Sequence, residues 1–274
     1  MQNDAGASGP STNPLVSVIL PIGKDHPFLD LAVQSILDQT YANLELLLIA
    51  NGCSDADWNA LQRFSSPRVR LVRTRVHQLP FALNLGIHLS RGKLIARMDS
   101  DDLAHPRRLA KQVERFNLEP GLTVLGTRYE LMDDKGDYIG GGPPLPCTNA
   151  GIRRRLPFRC PIAHPTAMFR KSAIEKVGGY MYGSPSEDYD LWLRLSRDAT
   201  AIFGAIAEPL LRYRVHDAQE TAPRNSGKLL AYDCALKMRE FLLTGRIALL
   251  VGALYSVIIF LGSPVVRRLR ALRA

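Results

Sequence analysis

Arg91-Gly92-Lys93-Leu94-Ile95-Ala96-Arg97-Met98-Asp99-Ser100-Asp101-Asp102 is the stretch that decides how this chain is read. Leu94 to Met98 is a short apolar run of strand character, and it leads straight into Asp99, Asp101 and Asp102. Carboxylates this close repel one another at neutral pH. A strand end gathers them only at a cost unless a cation neutralises them. Oxygen ligands suit Mg2+ or Mn2+, ions that also bind diphosphates. The other reading of the same residues is a solvated acidic turn capping a helix that starts at Pro106.

Working outward, apolar runs of strand length alternate with helix-spaced apolar residues. Leu15–Leu20 reads as a buried strand stopped by Pro21, and Leu29, Val33, Ile36 and Leu37 mark one face of a helix. Glu45–Ala50 is a second strand, closed by the Asn51-Gly52 turn signal. Ser54 and Asp57 are spaced to cap the next helix. Val69–Thr74 is a third strand, and Leu79, Leu83 and Ile87 mark another helix before Leu94–Met98. This order predicts a mostly parallel sheet covered by helices on both faces, with ligands at the carboxyl ends of its strands. The acidic cluster stands at one such end.

Beyond it, a helix is expected from Pro106 to about Asn117 and a strand over Val124–Leu131. Asp133-Asp134-Lys135-Gly136 reads as a hairpin turn, and Gly140 to Pro146 as a flexible stretch. Thr166–Arg170 is strand-like. Ser186-Glu187-Asp188 precedes a helix carrying Leu191, Trp192 and Leu195, and two short strands follow at Ala201–Ile206 and Leu210–Val215. The remainder reads as helical.

Composition sets limits. The 274 residues are 46% hydrophobic, enough for a sizeable core, and carry a net charge of +9, which favours acidic partners. Only 7% are aromatic, and no nucleic-acid module is recognisable, so no nucleic-acid partner is expected. The four cysteines lack zinc spacing and read as free thiols in a reducing compartment. Residues 1–13 are polar, without the basic start and apolar stretch of a signal peptide, and read as a disordered lead-in. No dinucleotide fingerprint, P-loop or nucleophile elbow occurs.

Two further groups carry chemistry. Glu187-Asp188, before a helix, can hold a general base or can simply cap the helix. In Tyr213-Arg214-Val215-His216, strand alternation points Arg214 and His216 to one side. Arginine can clamp a phosphate and neutral histidine can ligate a metal, although a lone histidine is commonly structural or exposed.

Taken together these segments resemble the family-2 glycosyltransferases, inverting enzymes of GT-A fold, here of the bacterial cell-envelope polysaccharide type. The resemblance runs from about Val16 to His216. It rests on Val16-Ser17-Val18-Ile19-Leu20-Pro21, Ile36-Leu37-Asp38-Gln39-Thr40-Tyr41, Ala82-Leu83-Asn84-Leu85-Gly86-Ile87 and the stretch from Arg91 to Asp102. Pro106-Arg107-Arg108-Leu109, His164-Pro165-Thr166 and Glu187-Asp188-Tyr189-Asp190-Leu191-Trp192 complete it.

The resemblance implies an α/β, GT-A type fold with a mostly parallel nucleotide-binding sheet flanked by helices over residues 14–226. It implies Asp101, with Asp99 and His216, as ligands of Mn2+ or Mg2+. Asp188 is the implied catalytic base, with Glu187 beside it. Pro21, Lys24, Asn51, Asn84, Arg97, Asp99 and Arg214 are the implied nucleotide-sugar residues. The donor would be a nucleotide-diphosphate sugar, UDP-linked by preference, and the acceptor a glycan or lipid-linked hydroxyl. One departure is Ala50-Asn51-Gly52-Cys53-Ser54-Asp55, where such proteins usually carry Asp-Asp-Gly-Ser. Asn51 offers both donor and acceptor to a base edge, but no charge. Another is Gly23-Lys24, where Tyr-Asn is common. The rival readings are an inactive nucleotide-sugar-binding module and a sugar nucleotidyltransferase.

Residues 227–274 are expected to form C-terminal helices that associate with a membrane. No charge occurs from Ile247 to Val266, about the length of a bilayer core, with Arg246 before it and Arg267, Arg268, Arg270 and Arg273 after it. A span would export the arginine-rich tail of a cytoplasmic enzyme, and Gly262, Ser263 and Pro264 weaken the last turn. In-plane or re-entrant association is therefore favoured over a span or a helix packed on protein. Lys228, Lys237 and Arg239 are candidates for lipid head groups. The expected location is cytoplasmic, peripheral or monotopic at the inner face of the cell membrane.

Overall fold

The computed structural model describes residues 13–181, 185–216 and 226–271, with side chains to 262; the expected lead-in 1–13 lies almost wholly outside them. Nine strands form one mixed sheet in the order β3-β2-β1-β4-β8-β6-β9-β5, with β7 paired to β6. The first four are β1 (Val16–Ile22), β2 (Leu44–Asn51), β3 (Val69–Thr74) and β4 (Leu94–Arg97), all parallel. The rest are β5 (Leu103–Ala104), β6 (Leu122–Met132), β7 (Tyr138–Gly141), β8 (Met168–Arg170) and β9 (Ile202–Arg214). β8 joins the two halves, antiparallel to both β4 and β6, while β6 and β9 run parallel.

Both sheet faces are buried, as the continuous apolar runs require. Val16, Val18, Leu20 and Ile22 face one core with Leu46, Leu48, Leu94 and Ala96, while Ile19, Leu47, Ile49 and Ile95 face the other. α1 (Leu29–Leu37) and α4 (Arg108–Leu118) cover the first face. α3 (Leu79–Leu89), α5 (Asn149–Arg155), α6 (Lys171–Lys176) and α7 (Glu187–Leu195) cover the second. α2 (Asp55–Leu61) starts with the capping box expected of Ser54 and Asp57.

Pro21 does not end β1. The Ile19 carbonyl accepts from Met98 on the β4 side, so the Pro21 nitrogen, two residues on, faces the same side, where β4 has already stopped. No ladder bond is lost, and the proline is tolerated within the sheet. In Arg91-Gly92-Lys93 the glycine is required: a Cβ there would lie 2.5 Å from the Leu15 carbonyl oxygen. Its N–H donates to Ser17 Oγ at 2.8 Å, tying the entry of β4 to β1.

Several expectations change. The two strands expected at 201–206 and 210–215 are one, β9, which runs through Pro209 where the β6–β9 register shifts. The helix after Pro106 begins at Arg108. Glu187 and Asp188 lie in the first turn of α7, not before it. The turn at 133–136 joins β6 to β7, and β7 takes the start of the stretch read as flexible.

The C-terminal helices form a hairpin, α8 (Ser226–Thr244) and α9 (Ile247–Ala271), and α9 continues through Gly262 and Pro264. Among the described residues no helix is long and apolar enough to cross a membrane. Lys237 does not face outward as expected, and Arg239 is only partly exposed. Lys237 is buried and donates to Asp233 and Ser256 side chains and to the Phe158 carbonyl. Arg239 reaches Asp190 and Glu240. A buried cation needs paired acceptors, and protein rather than lipid supplies them.

Candidate active site

The loops at the carboxyl ends of β1 and β4 meet at the acidic cluster. Carboxylate oxygens of Asp99, Asp101 and Asp102 lie within 4.8 Å of one another, which fits an oxygen-ligated divalent cation. Asp102 is the buried member. Its Oδ1 accepts from the Arg214 backbone at 2.9 Å, and its Oδ2 has no hydrogen-bond partner among the described residues. Burial lifts Asp102 well above the ordinary carboxylate range, with Asp99 and Asp101 adding to it. Burial likewise raises Asp99, against the pull of Arg97. Three carboxylates packed this closely, one of them buried with an unpartnered oxygen, are a cluster that a cation would stabilise.

Asp101 Oδ2 lies 2.9 Å from His216 Nε2, so residues 115 positions apart share one corner. Arg214 closes that corner from behind. It is buried and donates to the carbonyls of Asp101 (2.9 Å), Asp133 (2.9 Å) and Asp134 (3.0 Å). Its guanidinium also stacks 4.1 Å from the Phe28 ring centroid, and the His216 ring lies 6.0 Å from the same ring. Arg214 thus pins the acidic loop to the β6–β7 turn.

The loop after β1 brings two residues that sequence reasoning passed over, His26 and Phe28. His26 Nε2 lies 2.9 Å from Ser100 Oγ, and burial lowers the basicity of its ring. Their only signal was position, directly after the first strand. Lys24, in the same loop, is exposed. Pro21 pairs with Ile49 at the end of β1. Asn51 is buried, and its Oδ1 accepts from the Gln78 backbone at 3.1 Å. Gly52, at φ 69°, turns the chain away behind it.

The base candidates come from far along the chain. Asp188 Oδ1 accepts from the Tyr189 backbone at 2.7 Å, and the Cys160 thiol lies 3.6 Å from Oδ2. Neither Glu187 nor Asp188 is the N-cap. That place belongs to Ser186, held at φ 99° with no side-chain cap, the one non-glycine at positive φ among the described residues. Burial, and then the Glu187 charge, push Asp188 up to about 7. Glu187 behaves oppositely. Burial raises it, but His164, whose Nδ1 lies 3.4 Å from Oε1, and Arg97 more than offset that, and it stays below the usual range.

Arg97 joins the two halves of the site. It is buried, forms a bidentate pair with Asp99, and its charge is felt by both Glu187 and Asp188. Beside it lie His164 and Tyr180, with Nε2 2.7 Å from the phenol oxygen. Asn84 holds Tyr180 in place through both amide atoms. Its Nδ2 donates to the Tyr180 carbonyl, and its Oδ1 accepts from the Tyr180 N–H, each at 2.8 Å. The Asn84 side chain thus pins the Tyr180 backbone to α3. Tyr180 and Cys160 carried no sequence signal, because their role exists only through contacts across the fold.

Comparison with known proteins bears on the family and the fold. Residues 17–178 match the family described as Glycosyl transferase family 2. The chain is 37% identical over 248 residues to the O-antigen biosynthesis glycosyltransferase WbnJ of Escherichia coli, covering 88% of this chain and 94% of that protein. Among solved structures, S. aureus TarS 1-349 superposes with a TM-score of 0.64 at 14% identity, covering 90% of this chain and 73% of that one. The same TarS fragment in complex with UDP gives a TM-score of 0.61 at 13% identity, covering 83% of this chain and 65% of that one.

Proposed function

The chain belongs to glycosyl transferase family 2, and on that premise we propose that it moves a sugar, with inversion, from a UDP-linked donor onto a hydroxyl of a glycan or lipid-linked acceptor. The observation that carries the reading is Arg97. Buried Arg97 pairs with Asp99 and stands near enough to Glu187 and Asp188, some ninety positions further on, for its charge to lower both. Uridine is favoured because TarS, of the same fold, has been crystallised with UDP.

Asp188 is the base in this mechanism. It removes the acceptor proton during in-line attack at the anomeric carbon, and burial keeps it weakly acidic enough to do so near neutrality. Glu187 keeps its charge and holds α7 against His164. Asp101, Asp99 and His216 would hold Mn2+ or Mg2+, which when bound supplies positive charge to the leaving diphosphate. Arg97 fixes the Asp99 carboxylate, and Arg214 fixes the Asp101 backbone. Pro21, Lys24 and Asn51 border the nucleotide, with the exposed Lys24 ammonium available to a phosphate. The enzyme works on the cytoplasmic side, peripheral or monotopic at the inner face of the cell membrane.

A thermal-shift screen of nucleotide sugars with and without Mn2+, followed by product analysis, tests the reading. The expected result is stabilisation by a UDP-sugar only with the cation, and slow release of a sugar of inverted configuration. Pyrophosphate release from a nucleoside triphosphate plus a sugar phosphate, or no response to any nucleotide sugar, would sink it.

A further inference from the structure

One face of the C-terminal hairpin is uncovered among the described residues. Ile247 (69% exposed), Val251 (48%), Leu254 (59%), Ile258 (66%) and Leu261 (64%) recur at alternating four- and three-residue steps, so they form one stripe along α9. Tyr255 and Ile259 are exposed as well and widen the stripe into an arc on one flank. The opposite side of α9 is occupied. Leu249 and Ala253 are buried, and Gly252 lies so close to the Pro157 carbonyl that a Cβ would stand 1.8 Å from its oxygen.

The hairpin is anchored to the catalytic helix. The Asp190 carboxylate, wholly buried two residues after the proposed base, accepts from Arg194 on α7 and from Arg239 on α8. Arg197 forms a two-bond pair with buried Glu240 at 2.8 and 2.6 Å. These polar contacts of the hairpin therefore point inward, and the outward side of α9 is apolar. Such a surface on a folded protein marks an interaction site.

Charge selects the partner. A helix–helix seam is a narrow stripe flanked by charges that set register. Here the arc is wide, and no charged residue occurs from Ile247 to Val266. Cations stand at its ends instead. Arg246 is exposed directly before α9, and Arg267, Arg268 and Arg270 follow on the same helix. Arg159 is exposed next to Phe158, whose ring meets Tyr255 edge-on at 6.0 Å. An apolar arc with basic ends matches a helix lying in the plane of an anionic lipid surface.

We propose that the exposed face of α9 docks in-plane on an anionic membrane surface. Docking would bring the proposed base near the lipid surface, since residues 157–160 contact α9 at one end and Asp188 at the other. The inference deepens the membrane location given above and rests on that reading.

Flotation of the full-length chain tests it, using vesicles of phosphatidylcholine alone and with phosphatidylglycerol, alongside light scattering and donor turnover. The protein is expected to float with the anionic vesicles, less so at high salt, and to stay monomeric. Leu254→Asp combined with Ile258→Asp is expected to cut flotation about tenfold while keeping the cation-dependent thermal shift with UDP. Equal flotation of wild type on neutral and anionic vesicles overturns the proposal. So does undiminished flotation of the folded variant, or a vesicle-independent dimer that the variant dissolves. Donor turnover without flotation overturns only the docking, and flotation without turnover of any donor overturns only the transferase reading.

Discussion

Replacing Glu187 by Gln tests the proposed base without touching it. Asp188 is held at about 7 chiefly by burial and secondly by the Glu187 charge, against an ordinary aspartate value of 3.8. Between pH 6 and pH 8 its ionised fraction rises from about 9% to about 91%, so kcat/KM should climb about tenfold. An aspartate near its ordinary value would give a flat profile over that range. Because burial is the larger cause, removing the Glu187 charge should recover less than half of the rise. The acid limb then moves down by about one pH unit, and at pH 6 the variant reaches about half of its own plateau. The assay is release of nucleoside diphosphate across pH, read as kcat/KM, which reports ionisations of the free enzyme. Stability gives a second readout with its sign fixed. The folded-state value lies above the unfolded one, so the folded protein binds the extra proton between about 4 and 7, and stability drains as pH rises through that window. Asp188→Asn should therefore melt higher than wild type at pH 8, with turnover lost and donor binding kept. A wild-type profile flat from pH 6 to 8, or an acid limb unmoved in Glu187→Gln, refutes the assignment.

Asp101→Asn and His216→Ala should each abolish the Mn2+-dependent thermal shift with UDP while Asp188→Asn retains it, and an unchanged shift in Asp101→Asn argues against the metal site. Tyr180→Phe removes the hydroxyl 2.7 Å from His164 Nε2; it should cost about 1–2 kcal/mol in urea unfolding and lower kcat more than donor affinity. Full activity in that variant would leave the His164–Tyr180 contact without a positioning role. Gly252→Ala forces backbone apart at Pro157, with an expected loss of about 1–3 kcal/mol that denaturant midpoints would register.

The order of β1 to β4 with their helices was legible in the residues, because apolar runs, caps and turn signals act over a few positions. Ser54 with Asp57 formed the capping box its spacing promised, and Asp99-Ser100-Asp101-Asp102 stands at the end of β4 as the apolar run before it required. Short elements escaped: β5 has two residues and α6 only six, too few for a period to show. Pro209 looked like a break between strands because a register shift that tolerates proline belongs to the pairing, not to the residue. Lys237 and Arg239 looked like lipid-facing cations because their partners, Asp233, Ser256, Asp190 and Glu240, are brought to them only by packing.

Local sequence determined which segments are strands and helices and which carboxylates stand at a strand end, since these depend on neighbours within a turn or two. Tertiary structure alone decided that Arg97 stands near both carboxylate groups, that Asn84 pins the Tyr180 backbone, and that one face of α9 is uncovered among the described residues. Charge, burial and exposure are sums over everything within several ångströms, and residues far apart in the chain supply most of that sum.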